Sequence, residues 1–195
     1  MTEGNGYILK SLQWDTDFFG VKCLRVYINE ELTDKQYVAL QKDIEDYNFI
    51  VLDNVIGSSK NNQLLCQLNN CFLVDVPIVY CFKLVNRFDK VKDLCVKNNL
   101  DYNQKILRIG QNAFKLGRFY NDKNISEEKA SRLYVSWLKS AFNRDDKFFV
   151  VDKESNGFIL FSETSDKKGL DIELIATVEV ARAKGIAKQM LIALK

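Results

Sequence analysis

The sequence predicts a mixed α/β (α+β) protein in two parts, residues 1–100 and 101–195. Three observations carry this. Short apolar runs bounded by turn residues alternate with helical periodicity along the whole chain. A capping box opens a helix at Thr33, with Gln36 three residues on. An Asn156-Gly157 hairpin signal follows the longest amphipathic stripe. With no Pro/Gly/Ser linker, repeat or low-complexity tract, the boundary near residue 100 rests on the change of pattern alone.

In chain order, Tyr7 to Leu12 and Lys22 to Ile28 read as strands around a turn at Asp15 to Gly20. Tyr37, Leu40, Ile44 and Tyr47 mark one helical face behind the capping box. Phe49 to Val55 is a short apolar run suited to a buried strand, and Gly57-Ser58-Ser59 opens a short helix holding Leu64, Leu65 and Leu68. Phe72 to Val85 is β-rich, with Pro77 at a bulge or edge position. A helix is expected from about Asp89 to Asn99 with Val91, Leu94 and Cys95 inward, then a strand over Gln104 to Gly110 and an irregular segment through Asp122. Ala130, Leu133, Tyr134, Trp137, Leu138, Ala141 and Phe142 follow the helical pattern over three turns. Phe148 to Val151, Phe158 to Phe161 and Leu170 to Thr177 read as strands, and a last helix starts near Ala183.

Composition narrows the chemistry. The 195 residues are 47% hydrophobic and 28% charged, with a net charge of +2. So small a charge, on scattered lysines, gives no nucleic-acid track. No run of roughly 18 apolar residues is present to span a bilayer, and the first residues form no signal region. A cytoplasmic protein is expected. Five cysteines, Cys23, Cys66, Cys71, Cys81 and Cys95, form no Cys-x-x-Cys pair and read as buried reduced thiols. Histidine is absent. That removes Ser-His-Asp and Cys-His nucleophiles and imidazole zinc sites, so no metal is expected. Chemistry must run on carboxylates, tyrosines, lysines, backbone dipoles or a cofactor.

The informative stretch is Ile172-Glu173-Leu174-Ile175-Ala176-Thr177, a short turn, then Arg182-Ala183-Lys184-Gly185-Ile186-Ala187. A strand leads into a helix whose first turn is expected to hold Gly185 and Ala187. The first N–H groups of a helix lack internal partners and sit at its positive end. Small residues there let a pyrophosphate approach, and Arg182, Lys184 and Lys188 add positive charge. The same pattern also suits a helix start with Gly and Ala chosen for packing. Asp171, Glu173 and Ile175 are expected on one face of the strand, with Leu170, Ile172 and Leu174 on the other.

Arg182-x-x-Gly185-x-Ala187 between a strand and a helix resembles the pyrophosphate loop, Gln/Arg-x-x-Gly-x-Gly/Ala, of the GNAT N-acetyltransferases. The resemblance implies the N-terminal half of that fold, a mixed, mostly antiparallel sheet flanked by helices, over 101–195. It implies acetyl-CoA as cofactor, with Arg182, Ala183, Lys184, Gly185, Ile186, Ala187 and Lys188 at the pyrophosphate. The strand Leu174, Ile175, Ala176, Thr177 would pair with the pantetheine arm. A carboxylate on this strand acts as base in some members, which nominates Glu173 first and Asp171 second; a solvated strand face is the other reading.

Two further blocks are similar to the dTDP-fucosamine acetyltransferase group: Trp14-Asp15-Thr16-Asp17-Phe18-Phe19-Gly20, and Arg118-Phe119-Tyr120-Asn121-Asp122 followed by Leu133-Tyr134-Val135-Ser136-Trp137. They imply an amine acceptor on a nucleotide-linked amino-deoxy sugar, a dTDP-4-amino-4,6-dideoxyhexose, used for surface polysaccharide. Trp14 and Arg118 become candidate substrate contacts; core packing of Trp14 and pairing of Arg118 with Asp122 are the alternatives. Neither a nucleic-acid nor a membrane partner is expected, and a homodimer is compatible with these features. By the same resemblance, a further strand, a helix and two closing strands would follow residue 195, bringing a tyrosine as general acid. The alternatives left open are a non-catalytic CoA-binding fragment and a GNAT enzyme for another amine, such as a peptide N-terminus. A generic nucleotide-phosphate binder is disfavoured because no Gly-x-x-x-x-Gly-Lys-Ser/Thr loop is present.

Overall fold

Strand β1 (Tyr7–Ser11) begins the chain's regular structure in the computed structural model, which describes residues 6–81, 94–98 and 100–194. Side chains are described outside 94–98. The chain forms two compact units, Met1–Leu73 and Val74–Lys195.

In the first unit β1 pairs antiparallel with β2 (Cys23–Ile28), and β2 pairs parallel with β3 (Phe49–Asn54) across helix α2 (Asp34–Ile44). Alternation in β2 buries Leu24, Val26 and Ile28 on one face, where they pack with Tyr7, Leu32, Leu40, Ile44 and Leu65. Thr33 and Gln36 form the capping box at the start of α2. Helix α3 (Ser59–Leu65) starts on the Ser58 side chain, and its buried Asn61 takes the Leu32 N–H at 2.9 Å while donating to the Glu30 carbonyl at 2.9 Å. Strand β3 is half-buried throughout, as befits an edge.

The turn expected at Asp15 to Gly20 is instead a helix, α1 (Gln13–Phe19). Partners four residues apart explain it: Trp14 stacks on Phe18, and the Gln13 amide donates to Asp17 at 2.8 Å. Gly20, at φ 73°, then ends the helix in the left-handed conformation open to glycine.

In the second unit β4 (Leu94–Asn98), β5 (Phe148–Asp152), β6 (Gly157–Glu163) and β7 (Leu170–Thr177) form an antiparallel meander in that order. Between β4 and β5 come α4 (Gln104–Ala113), α5 (Arg118–Asn121) and α6 (Glu127–Ala141), and α7 (Ile186–Ala193) follows β7. Val150, Ile159 and Phe161 pack with Met190 of α7 on one face. On the other, Phe149 stacks on Phe142 at the end of α6, and α4 lies over β6 and β7.

Three expectations are corrected here. The helix expected over 89–99 is, where described, strand β4, because its backbone finds a ladder with β5 from Leu94↔Asp152 to Asn98↔Phe148; Asp89 and Val91 lie outside the described residues. This pairing also puts residues 94–98 in the second compact unit, which begins at Val74. The strand expected over 104–110 is helix α4, nucleated by the Asn103 side chain, which accepts from the N–H groups of Lys105 and Ile106. The irregular segment before Asp122 contains the short helix α5.

Further details differ. Residues 72–81 form no strand, and Leu73, Val76, Ile78, Val79 and Tyr80 stand exposed; residues 82–85 lie outside the described set. The β5–β6 loop places Ser155 at φ 57°, while Asp152 Oδ1 accepts the Gly157 N–H at 2.7 Å. Gly157 sits in a tight spot: a Cβ there would lie 3.0 Å from Met190 Cε and 3.0 Å from Thr177 Cγ2, so these side chains would have to give way. Among the described cysteines Cys23 is buried and Cys71 half-buried, but Cys66 and Cys81 are exposed, contrary to the buried thiols expected. No helix among the described residues is long and apolar enough to cross a membrane.

Candidate functional site at the β7–α7 connection

Strand β7 lies at the sheet's edge. Its register against β6 slips: Leu160 faces Leu174 while Phe161 faces Ile172, so Glu173 is an extra residue, a β-bulge. The expected common face of Asp171, Glu173 and Ile175 is therefore broken. Asp171 pairs with Ser162 and is exposed, whereas Ile175 pairs with Ile159 and packs towards α7. Leu174 and Ala176 are buried, and Thr177 is half-buried.

After β7 the Val178 N–H donates to the Asn156 carbonyl at 2.7 Å, which ties the strand's end to the hairpin loop. A 3-10 turn, Glu179–Ala181, follows, with Ala181 buried as its anchor. The backbone then passes twice through the left-handed region, at Ala183 (φ 61°) and Gly185 (φ 78°). Gly185 is the N-cap of α7 and not a first-turn residue, so the helix starts at Ile186 and not near Ala183. The first intrahelical bond runs from the Gln189 N–H to the Gly185 carbonyl at 3.0 Å. The N–H groups of Ile186, Ala187 and Lys188 thus precede it without an intrahelical acceptor.

A Cβ built on Gly185 meets nothing within 4 Å, so its surface is open to an approaching group. Arg182, Ala183, Lys184 and Lys188 are exposed around it; Ile186 and Ala187 are half-buried. Ala183, a non-glycine residue at positive φ, carries strain that serves the loop's shape. The arrangement offers N–H groups able to donate to an anion beside exposed positive charge.

No family model, curated protein or solved structure matches the chain. The geometry stands by itself as the guide to function. Here the structure brings Glu173, the 174–177 strand and the 182–188 loop onto one continuous strand–loop–helix segment.

The other nominated residues are placed separately. Arg118, half-buried at the start of α5, lies over the Phe119 ring at 4.5 Å, and its carbonyl accepts the Asp122 N–H. Trp14 belongs to the first unit, 38% exposed and stacked on Phe18 at 5.5 Å. Phe19 beside it contacts Phe49 at 5.0 Å, so part of this aromatic block does pack.

Two residues unforeseen in the sequence complete the surroundings of Glu173. Ser162 donates to Glu173 Oε1 at 2.8 Å, and the Lys147 ammonium forms an ion pair with the same oxygen. The signal was present in the hairpin: pairing Phe148 with Phe161 sets Lys147 opposite Ser162. Among the described residues no cluster of three or more His, Cys, Asp or Glu side chains is placed to hold a metal.

Proposed function

We propose that the chain binds acetyl-CoA at the β7–α7 connection and acts as an N-acetyltransferase, with the amine of a dTDP-4-amino-4,6-dideoxyhexose as acceptor. The observation that carries it is the open, basic loop at Gly185, whose backbone N–H groups precede α7. The order of hairpin, edge strand, loop and helix supports the same reading. The loop would hold the pyrophosphate, and the outer edge of Leu174 to Thr177 would pair with the pantetheine arm. A backbone N–H on that edge would stabilise the oxyanion as the amine attacks the thioester. Glu173 would take the amine's proton directly or through water. Arg118, in the same unit as the loop, is the proposed acceptor contact.

Calorimetry with CoA is the test. Wild-type protein is expected to bind, and Lys184→Glu to weaken binding about tenfold, ~1.4 kcal/mol. Gly185→Val is expected to abolish binding, since its β-branched side chain occupies the approach and opposes a φ of 78°. Circular dichroism verifies that each variant folds. Unchanged affinity in a folded Gly185→Val variant removes the loop assignment. Release of CoA thiol with peptide amines alone would leave the cofactor reading and remove the sugar.

One observation favours a second reading, CoA binding without turnover: the nominated base already carries an ammonium partner from its own chain.

A further inference from the structure

Lys147 directly precedes β5 and Ser162 lies one residue beyond the Phe161 that pairs with Phe148. Both therefore sit on one row of the sheet, and the bulge in β7 turns Glu173 towards them. The Lys147 and Glu173 side chains are only 18% and 15% exposed. Two donors share Oε1; among the described residues none reaches Oε2. Taking an ammonium and a carboxylate this far out of water is costly, and isosteric apolar residues often serve stability as well or better. Stability alone is therefore a weak reason for the pair.

On the acetyl-CoA reading above, the pantetheine arm runs along β7. An extended strand rises about 3.3 Å per residue, so the bulge lies ~13 Å from Thr177, near the far end of a pantetheine arm laid along β7. The thioester then lies beside Glu173, and the primary amine held on that carboxylate is the chain's own. We infer that Lys147 is a self-acetylation site, its amine held and deprotonated by Glu173. The Lys147 ammonium gives one proton to the Glu173 carboxylate. The freed lone pair attacks the thioester carbonyl carbon, the N–C bond forms and the C–S bond breaks. The second nitrogen proton goes to the departing CoA thiolate, and the Glu173 proton is released to water. The products are an acetyl-lysine amide and free CoA. The amide is neutral and leaves Glu173 without its ion-pair partner, open to an external amine.

Peptide mass spectrometry of the full chain after incubation with acetyl-CoA tests this, with urea-unfolded chain as the chemical background. Lys147 is expected to gain an acetyl group well ahead of the exposed Lys139, although it is the less accessible amine. Glu173→Gln is expected to slow that labelling about 100-fold, the lower range for loss of a general base. Ser162→Ala, which leaves the carboxylate intact, is expected to slow it less. Labelling of Lys147 no faster than Lys139, or equally fast in a folded Glu173→Gln variant, overturns the inference. If Glu173→Gln fails to fold, the comparison of Lys147 with Lys139 in wild type decides. Calorimetry on the same sample separates the two readings. CoA binding with Lys147 unmodified overturns this inference alone; no CoA binding overturns the acetyl-CoA reading and this inference with it.

Discussion

Tyr134 is ringed by aromatic neighbours, with Phe114, Phe119, Tyr120 and Trp137 centroids at 4.7, 6.0, 6.3 and 6.5 Å. The close fit extends to Gly117, where a Cβ would lie 2.5 Å from the Tyr134 hydroxyl. Burial raises the phenol's pKa above its ordinary 10.0; Arg118 opposes the shift, and Tyr120 and Asp75 reinforce it. A raised folded pKa means that the folded chain keeps a proton the unfolded chain gives up. Its contribution is complete below the unfolded value and is lost as pH rises through the folded one. Urea midpoints of wild type should therefore fall above pH 10.0 more steeply than those of Tyr134→Phe, and the two curves should run parallel at neutral pH. Parallel curves throughout would remove Tyr134 as the cause.

Helices α4 and α6 meet at a glycine. A Cβ on Gly110 would lie 2.3 Å from Cδ1 of Leu138, a fully buried side chain. Gly110→Ala gains about 1 kcal/mol of helix propensity and loses about 1–3 kcal/mol to overpacking. The net is expected to be destabilising, and Leu138→Ala in the same chain should turn Gly110→Ala favourable by vacating the space. A double-mutant cycle in urea reads the coupling. Much of the element order is legible in the sequence: the Thr33 box, the 130–142 stripe and Leu170–Thr177 all appear where periodicity and caps place them. The apolar residues Ile106, Leu107 and Ile109 suit a strand as well as a helix, and the Asn103 cap is what decides. At the site, the loop and its basic residues are legible from composition and spacing. The bulge is not, because register depends on the partner strand. For the same reason Lys147 and Ser162 emerge only once Phe148 is paired with Phe161.

At the scale of the molecule, each compact unit holds one of the two tryptophans, Trp14 in the first and Trp137 in the second. Single-tryptophan chains thus report on each unit separately. Asn61 is wholly buried, and its loss strands the Leu32 N–H and the Glu30 carbonyl. Asn61→Ala should cost about 1–3 kcal/mol for the unmet groups, moving the denaturation reported by Trp14 and leaving that reported by Trp137 in place. Equal shifts in both would show one cooperative transition. The division at Leu73/Val74 is not legible in the sequence because β4 is committed to a ladder with β5, a strand more than fifty residues later.

The bulge at Glu173 also bears on behaviour at high concentration. A strand at a sheet's margin, with apolar residues such as Ile172, Leu174 and Ile175, is a seed for fibre growth by copy-on-copy stacking. The slipped register divides that seed into two short pieces, Leu170 to Ile172 and Leu174 to Thr177, with a carboxylate between them. A second chain laid along β7 would lose its ladder at Glu173, so the irregularity that shapes the site is also a brake on polymerisation.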